Sequence, residues 1–354
     1  MTKKSLLLFV AIVLIFGSTG CIKFKKSETE TSNLGGVFMT NDRFENWQHS
    51  SALMTPGETP GSIAEADISF MVFDPSDSDA IYAGTRGHGL LYSYNRGAGW
   101  MHANKLPTGF VRDLAIDSKD KCTLYAAVNS KIYKSKDCAR NWKQIYFTDN
   151  PEKVITALNV DWFNPNIVYA GLSDGSFLQS GDYGNGWKLV HNFPTRVMKI
   201  KLDYSDSRRI FVGLQNGGMY RKAIDSEEWT DLNVSMRDFS GASGYYDFDL
   251  AKSTPGVIIY ANKYGLLRSL DNGDTWSEVK LVTPPGSERI FSVAIDPTNP
   301  NYIYYSTNTA IYKTLDGGTN WILKEVPTTK VAGKILIHPS EVANIFVGTM
   351  FVEQ

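Results

Sequence analysis

SLDNGDTW (269–276) and TLDGGTNW (314–321) are two copies of one octapeptide, and the placement of its other copies decides the fold. SYNRGAGW (93–100), SKDCARNW (135–142) and SGDYGNGW (180–187) follow the same wording, while TNDRFENW (40–47) and KAIDSEEW (222–229) are worn copies. Trp47, Trp100, Trp142, Trp187, Trp229, Trp276 and Trp321 therefore share one position, and of the 8 tryptophans only Trp162 falls outside it. A second element alternates with the first. FDPSDSDAIYAGT (73–85), IDSKDKCTLYAAV (116–128), VDWFNPNIVYAGL (160–172), LDYSDSRRIFVGL (202–214), LAKSTPGVIIYAN (250–262), IDPTNPNYIYYST (295–307) and IHPSEVANIFVGT (337–349) each read as strand, polar turn and short apolar-aromatic strand. A period of about 45 residues is that of a four-stranded propeller blade. The sequence thus predicts an all-β fold: a seven-bladed β-propeller of four-stranded blades.

The chemistry of the octapeptide accounts for its spacing. The carboxylates of Asp42, Asp137, Asp182, Asp271 and Asp316 can accept backbone N–H bonds across a tight turn, helped by the preceding Ser or Thr hydroxyl. The glycine at the fifth position supplies positive φ, and the tryptophan buries a flat side chain against the neighbouring unit. The same residues invite a catalytic reading, since acids cleave glycosides; but each occupies the same turn of a different blade, so they cannot converge. The order of the elements predicts how the ring closes. The chain opens on an outer unit (36–50) with no inner strands before it and ends on an inner unit (334–349) with no outer strands after it. The seventh blade should therefore join strands near 331–349 to strands near 36–50, setting the preceding tether beside that blade's outer edge.

These octapeptides resemble the Asp-box, or bacterial neuraminidase repeat, found in sialidases, xyloglucan-cleaving glycosidases, sortilin-type receptors and the photosystem II assembly factor family. The resemblance covers residues 35–354. It implies the propeller and says almost nothing about function, because fold and function separate readily. A sialidase would carry an early Arg-Ile-Pro signature, which is absent. The xyloglucan-cleaving relatives are similar down to the turn DPTNPNYIY (296–304). Their cleavage groove lies between two propellers, each giving one carboxylate, and this chain has residues for one propeller.

The N-terminus reads as a leader. Lys3 and Lys4 precede an apolar stretch, Leu6 to Phe16, too short to span a bilayer, and Ser18-Thr19-Gly20-Cys21 follows. This resembles the bacterial lipobox, with Ser18 where the family prefers Leu. The resemblance implies a signal peptide over 1–20, acylation of Cys21, a polar tether over 21–34, and anchoring to the extracytoplasmic face of the cell or outer membrane. An ordinary cleaved signal peptide with an incidental cysteine is the other reading. Cys122 and Cys138 flank two strands joined at Asn129-Ser130, and folding these antiparallel sets the cysteines almost opposite each other. A disulfide there fits an oxidising compartment; two free buried thiols are the alternative, since register is not fixed by sequence.

The net charge of -1 gives no global pull toward nucleic acid. His49, His88, His102, His191 and His338 show no metal-site spacing, and no phosphate loop, nucleophile elbow or zinc motif occurs, so no cofactor is expected. His338 stands where other blades have Asp. Attention falls on the face opposite the octapeptides. The starts of the innermost strands bring Asp67, Phe110, Arg112, Lys153, Arg196, Tyr245, Tyr246, Arg289 and Lys330, and the short turns add Arg86, His88 and Tyr264. Cations with aromatic neighbours can hold an acidic peptide or a sugar acid; solvated strand ends are the plainer reading. The long segment 49–66 is rich in Gly, Pro and Ser and reads as a flap, a partner contact or a disordered loop. The leading function is a non-enzymatic, membrane-anchored scaffold binding a protein partner. The alternative is a cell-surface carbohydrate-binding protein or glycoside hydrolase.

Overall fold

Seven four-stranded antiparallel sheets form the ring. The computed structural model describes residues 32–352 apart from 56, 58 and 309; the leader, Cys21 and the tether up to residue 31 lie outside the described residues. Blade I consists of Ile68–Asp74, Asp77–Thr85, Leu90–Ser93 and Met101–His102, and blade II of Val111–Ile116, Leu124–Val128, Lys131–Ser135 and Lys143–Phe147. Blades III and IV begin at Ile155–Val160 and Val197–Leu202, and blades V and VI at Tyr245–Leu250 and Ser292–Asp296. Blade VII is composite, as the element order predicts. Val331–Ile337 and Ile345–Met350 come from the end of the chain and Val37–Thr40 and Gln48–Ser50 from its beginning, with Val37 opposite Gly348 and Thr40 opposite Ile345.

The third and fourth strands of most blades are joined by the octapeptide turn. In blade VI, Asp316 Oδ1 accepts from the backbone of Thr319 (3.0 Å) and Asn320 (2.9 Å) and from Thr314 Oγ1 (2.7 Å). Thr314 Oγ1 in turn accepts the Gly318 amide at 3.0 Å. Those bonds, led by the Asn320 amide, hold the Asp316 carboxyl at about 2. Blade I manages with Asn95, whose Oδ1 accepts from Gly99 N at 3.0 Å and from Ser93 Oγ at 2.8 Å. Positive φ is not confined to the fifth position. The fourth is left-handed too in six of the seven copies, and five of its occupants, Arg43, Arg96, Cys138, Tyr183 and Asn272, are not glycine, with φ between 55° and 63°. Ala139 and Phe44 even replace the glycine at the fifth. The two side-chain caps, Ser/Thr and Asp, fix both residues of the turn against this strain.

Apolar packing runs between blades. Ile155, Leu158 and Val168 of blade III pack on Tyr125, Ala127 and Ile132 of blade II, and the pattern repeats round the ring. Polar residues on the innermost strands add a second link. Asp113 Oδ2 of blade II accepts from Leu158 N of blade III at 2.8 Å. Asn159 donates to Ile200 O of blade IV at 3.0 Å. Asp247 Oδ2 of blade V accepts from Val293 N of blade VI at 3.1 Å, Asp249 Oδ2 from Ile295 N at 2.9 Å, and Ser292 Oγ from Ile335 N of blade VII at 3.2 Å. Each is a clasp from one axial strand to the next.

Two local features depart from the sequence reading. The two ends of the segment 49–66 are docked: Ala52–Leu53 pairs with Gly61–Ser62, Leu53 bridges to Trp100, and Ile63 is buried. The tether's last residues do not reach the outer edge of blade VII. Ser32 pairs with Thr328 and donates to Pro327 O, so residues 32–34 lie along the connection between blades VI and VII. Cys122 and Cys138 are bonded across a sequence separation of 16. Closing a loop of that length is worth about 3 kcal/mol. Adding reductant should lower the denaturant midpoint of the wild type accordingly and leave that of a Cys122→Ser/Cys138→Ser variant unchanged; equal midpoints with and without reductant would contradict the assignment.

Candidate binding face

Antiparallel topology puts the octapeptide turns at one end of the ring and the blade connections, with the turns between second and third strands, at the other. On this loop face the sequence-predicted residues separate into a cluster and several isolated stations.

The cluster centres on Phe110. Arg112 lies over its ring at 4.0 Å and Arg86 at 5.6 Å. Burial lowers the pKa of Arg112, and the charges of Arg196 and Arg86 push the same way. Asp67 answers Arg86 at 3.3 Å, its own carboxyl pushed up by burial against that charge. Arg112 and Arg196 have no carboxylate within salt-bridge distance among the described residues, and Arg112 Nε is buried without a hydrogen-bond partner.

The cluster continues into the axis. Lys199 donates to Asp247 Oδ1 at 2.6 Å and to Phe248 O at 2.8 Å. Lys334 has its pKa lowered, mainly by burial, with Asp247 and Asp113 opposing and Lys199 and Arg86 reinforcing the shift. These axial charges were not among the residues the sequence reading singled out. The signal was present: VRDLAI, VMKIKL and YYDFDL each carry two charges and VAGKILI one within largely apolar innermost strands, and pairing sets Asp113, Lys199, Asp247 and Lys334 at matching registers.

The remaining residues stand apart. Lys153 is paired with Asp174 at 3.1 Å. Arg289 is exposed over the rings of Tyr246 (5.4 Å) and Phe291 (5.2 Å), and Lys330 sits over Phe351 at 3.8 Å. Tyr264 packs edge-on against Phe239. Tyr245 is a wedge: its ring covers Gly213, where a Cβ would come within 2.1 Å of it. His88 is exposed, its backbone amide donating to Thr85 Oγ1. On the opposite end, His338 Nδ1 accepts from Ser340 N at 3.4 Å and Glu341 N at 2.9 Å, the pair of bonds that Asp117 makes to Lys119 N and Asp120 N in blade II.

With this geometry in hand, the chain can be set beside known proteins. No protein-family model matches it. A xyloglucanase of Paenibacillus sp is 25 % identical over 273 residues, which are 70 % of this chain and 24 % of that protein. The GH74 enzyme of Niastella koreensis superposes with a TM-score of 0.65 at 17 % identity, covering 80 % of this chain and 51 % of the other. YCF48 bound to D1 peptide superposes with a TM-score of 0.61 at 13 % identity, covering 82 % of this chain and 94 % of the other. The likeness is one of fold. The chain spans 24 to 35 % of the length of the curated xyloglucanases it matches first, and nearly all of the YCF48 chain.

Proposed function

We propose that this protein is a scaffold, held at the extracytoplasmic membrane face through Cys21, that captures an acidic segment of a protein partner on its loop face. The observation that carries the proposal is Arg112, half-buried on Phe110 with Arg86 over the same ring, within reach of the charge of Arg196, and without a carboxylate of its own. Cations drawn partly out of water beside each other are unfavourable alone and favourable once a ligand supplies negative charge. The planar forks of Arg112 and Arg196 match carboxylates in two-point fashion. YCF48, with a bound peptide and a chain of similar extent, supports a peptide as the occupant.

Identity with the xyloglucanase favours a second reading, glycoside hydrolysis. Asp113 and Asp247 would be its carboxylates, because their acidities part: burial raises Asp113 to about 6, while Lys199 and Lys334 overcome burial and lower Asp247. Their oxygens are already taken. Asp113 accepts from Leu114 N and Leu158 N, and Asp247 from Phe248 N, Val293 N and Lys199. Carboxylates bonded in this way hold strands together and are poorly placed to move protons.

Parallel arrays separate the readings. The wild type should bind glutamate-rich peptides in a salt-sensitive way, and Arg112→Gln/Arg196→Gln should weaken this at least about tenfold, the equivalent of 1.4 kcal/mol. Binding to xyloglucan oligosaccharides with release of reducing sugar, and none to the peptides, would replace the scaffold with the hydrolase.

A further inference from the structure

The seam between blades II and III, at the octapeptide end of the ring, is built differently from two of its counterparts. In four blades the residue just before the octapeptide is a cation directed at the following blade: Lys134, Arg221, Arg268 and Lys313. Arg221 donates to the backbone oxygen of Asn272 at 3.0 Å and to Asp274 at 2.9 Å, the fourth and sixth positions of the next octapeptide. Lys313 does the same with Arg43 O at 2.8 Å and Glu45 at 2.9 Å. Arg268 is met by two neutral acceptors, Asn301 Oδ1 and Pro300 O.

Lys134 keeps only half of this arrangement. It donates to Tyr183 O, the fourth position, at 2.7 Å, but the sixth position is Asn185 and brings no charge. Lys134 is 8 % exposed and has no carboxylate within salt-bridge distance among the described residues. A lysine ammonium has three donors, and this one has a single acceptor, with the rings of Tyr125 and Tyr183 at 5.0 and 5.4 Å. Beside it opens a cavity of about 520 Å³, a size typical of ligand sites. Lys119 and Lys136 add two more positive charges to its wall, and Asn164, Asn166 and Asn185 add amides. The wall's two carboxylates are engaged within their own turn: Asp117 accepts from the backbone of Lys119 and Asp120, and Asp120 from Cys122 N and Thr123 Oγ1, which leaves the lining with a net positive charge. Tyr183, 47 % exposed, offers a ring face at its rim.

We infer that this cavity binds an acidic sugar, a hexuronate unit, whose carboxylate takes the place that Asp274 and Glu45 fill at the other seams. Lys134 and Lys136 receive the carboxylate. The amides bond the hydroxyls, and the apolar face of the sugar ring rests on Tyr183. Three amides and an aromatic platform favour a sugar over an acidic peptide, which would supply carboxylates but no ring of hydroxyls.

The test is titration of the full-length protein with trigalacturonate, a neutral trisaccharide and triglutamate, by calorimetry. Trigalacturonate should bind the wild type at least about tenfold more tightly than either of the others. Asn185→Asp restores the carboxylate seen at the other seams; it should abolish trigalacturonate binding and raise the melting temperature. Lys136→Gln, at the cavity wall, should weaken binding without lowering the melting temperature. No binding of trigalacturonate, equal binding of the neutral sugar or of triglutamate, or undiminished binding by Asn185→Asp would each overturn the inference. None of these outcomes bears on the arginine cluster at the other end of the ring.

Discussion

Asp247→Ala is expected to lower the folding free energy by up to about 3–5 kcal/mol, the cost of removing one partner from a buried ion pair, here one with a buried carboxylate and a partly exposed Lys199. The alanine leaves Lys199 with Phe248 O as its acceptor and takes the acceptor from Val293 N, which belongs to the next blade. A donor stranded in a buried site costs about 1–3 kcal/mol by itself. The substitution therefore strikes twice, once within blade V through Phe248 N and once across the seam to blade VI. Asp247→Asn keeps the shape and part of the acceptor capacity, so it should lie between wild type and alanine. Urea unfolding of the three proteins checks the order. A loss below about 1 kcal/mol for the alanine variant would mean that the Asp247 clasp adds little to the apolar contacts and the other clasps between axial strands.

The ring itself could be read from the chain because the octapeptide combines a turn, a cap and an aromatic anchor in eight residues, and because its copies recur at one period. The composite blade followed from simple bookkeeping of strands. What escaped were relations between blades. Asp113, Lys199, Asp247 and Lys334 looked like stray charges in apolar strands, and only the register of the sheets brings them to one axis. Among the predicted loop-face cations, sequence could not distinguish Lys153, neutralised by Asp174, from Arg112, which has no such partner, because those relations join residues of different turns. The recurrent Tyr-Ala-Gly and Phe-Val-Gly triplets were also a missed signal. Gly171 and Gly213 are overlain by Val197 and Tyr245 of the next blade, with room for no Cβ, so those glycines mark close inter-blade approach. The segment 49–66 misled through its composition: Gly, Pro and Ser suggest freedom, yet Leu53 and Ile63 within it supply the apolar contacts that dock its ends.

That docked segment makes Trp100 the most consequential of the seven equivalent tryptophans. Trp100 is fully buried, whereas Trp47, Trp142, Trp187, Trp229, Trp276 and Trp321 are partly exposed. The difference has a local cause. Ala52 O accepts Trp100 N at 2.8 Å, Met54 N donates to Trp100 O at 2.7 Å, and the indole donates to Ser50 O and Oγ at 3.0 Å. The ring packs in one cluster with Val37, Ile63 and Phe346, residues from both ends of the chain. Trp100→Ala should therefore cost about 3–5 kcal/mol, as for other fully buried aromatic truncations, and should open the seam between blades VII and I first. Trp276→Ala, at the same position of blade V, removes a half-covered ring and should cost clearly less. Hydrogen exchange gives the sharper readout: amides of 37–40 and 61–64 should lose protection in Trp100→Ala and keep it in Trp276→Ala. Equal losses in both variants would show that closure rests on the strand pairing of Val37–Thr40 with Ile345–Met350 and owes nothing to the tryptophan that covers it.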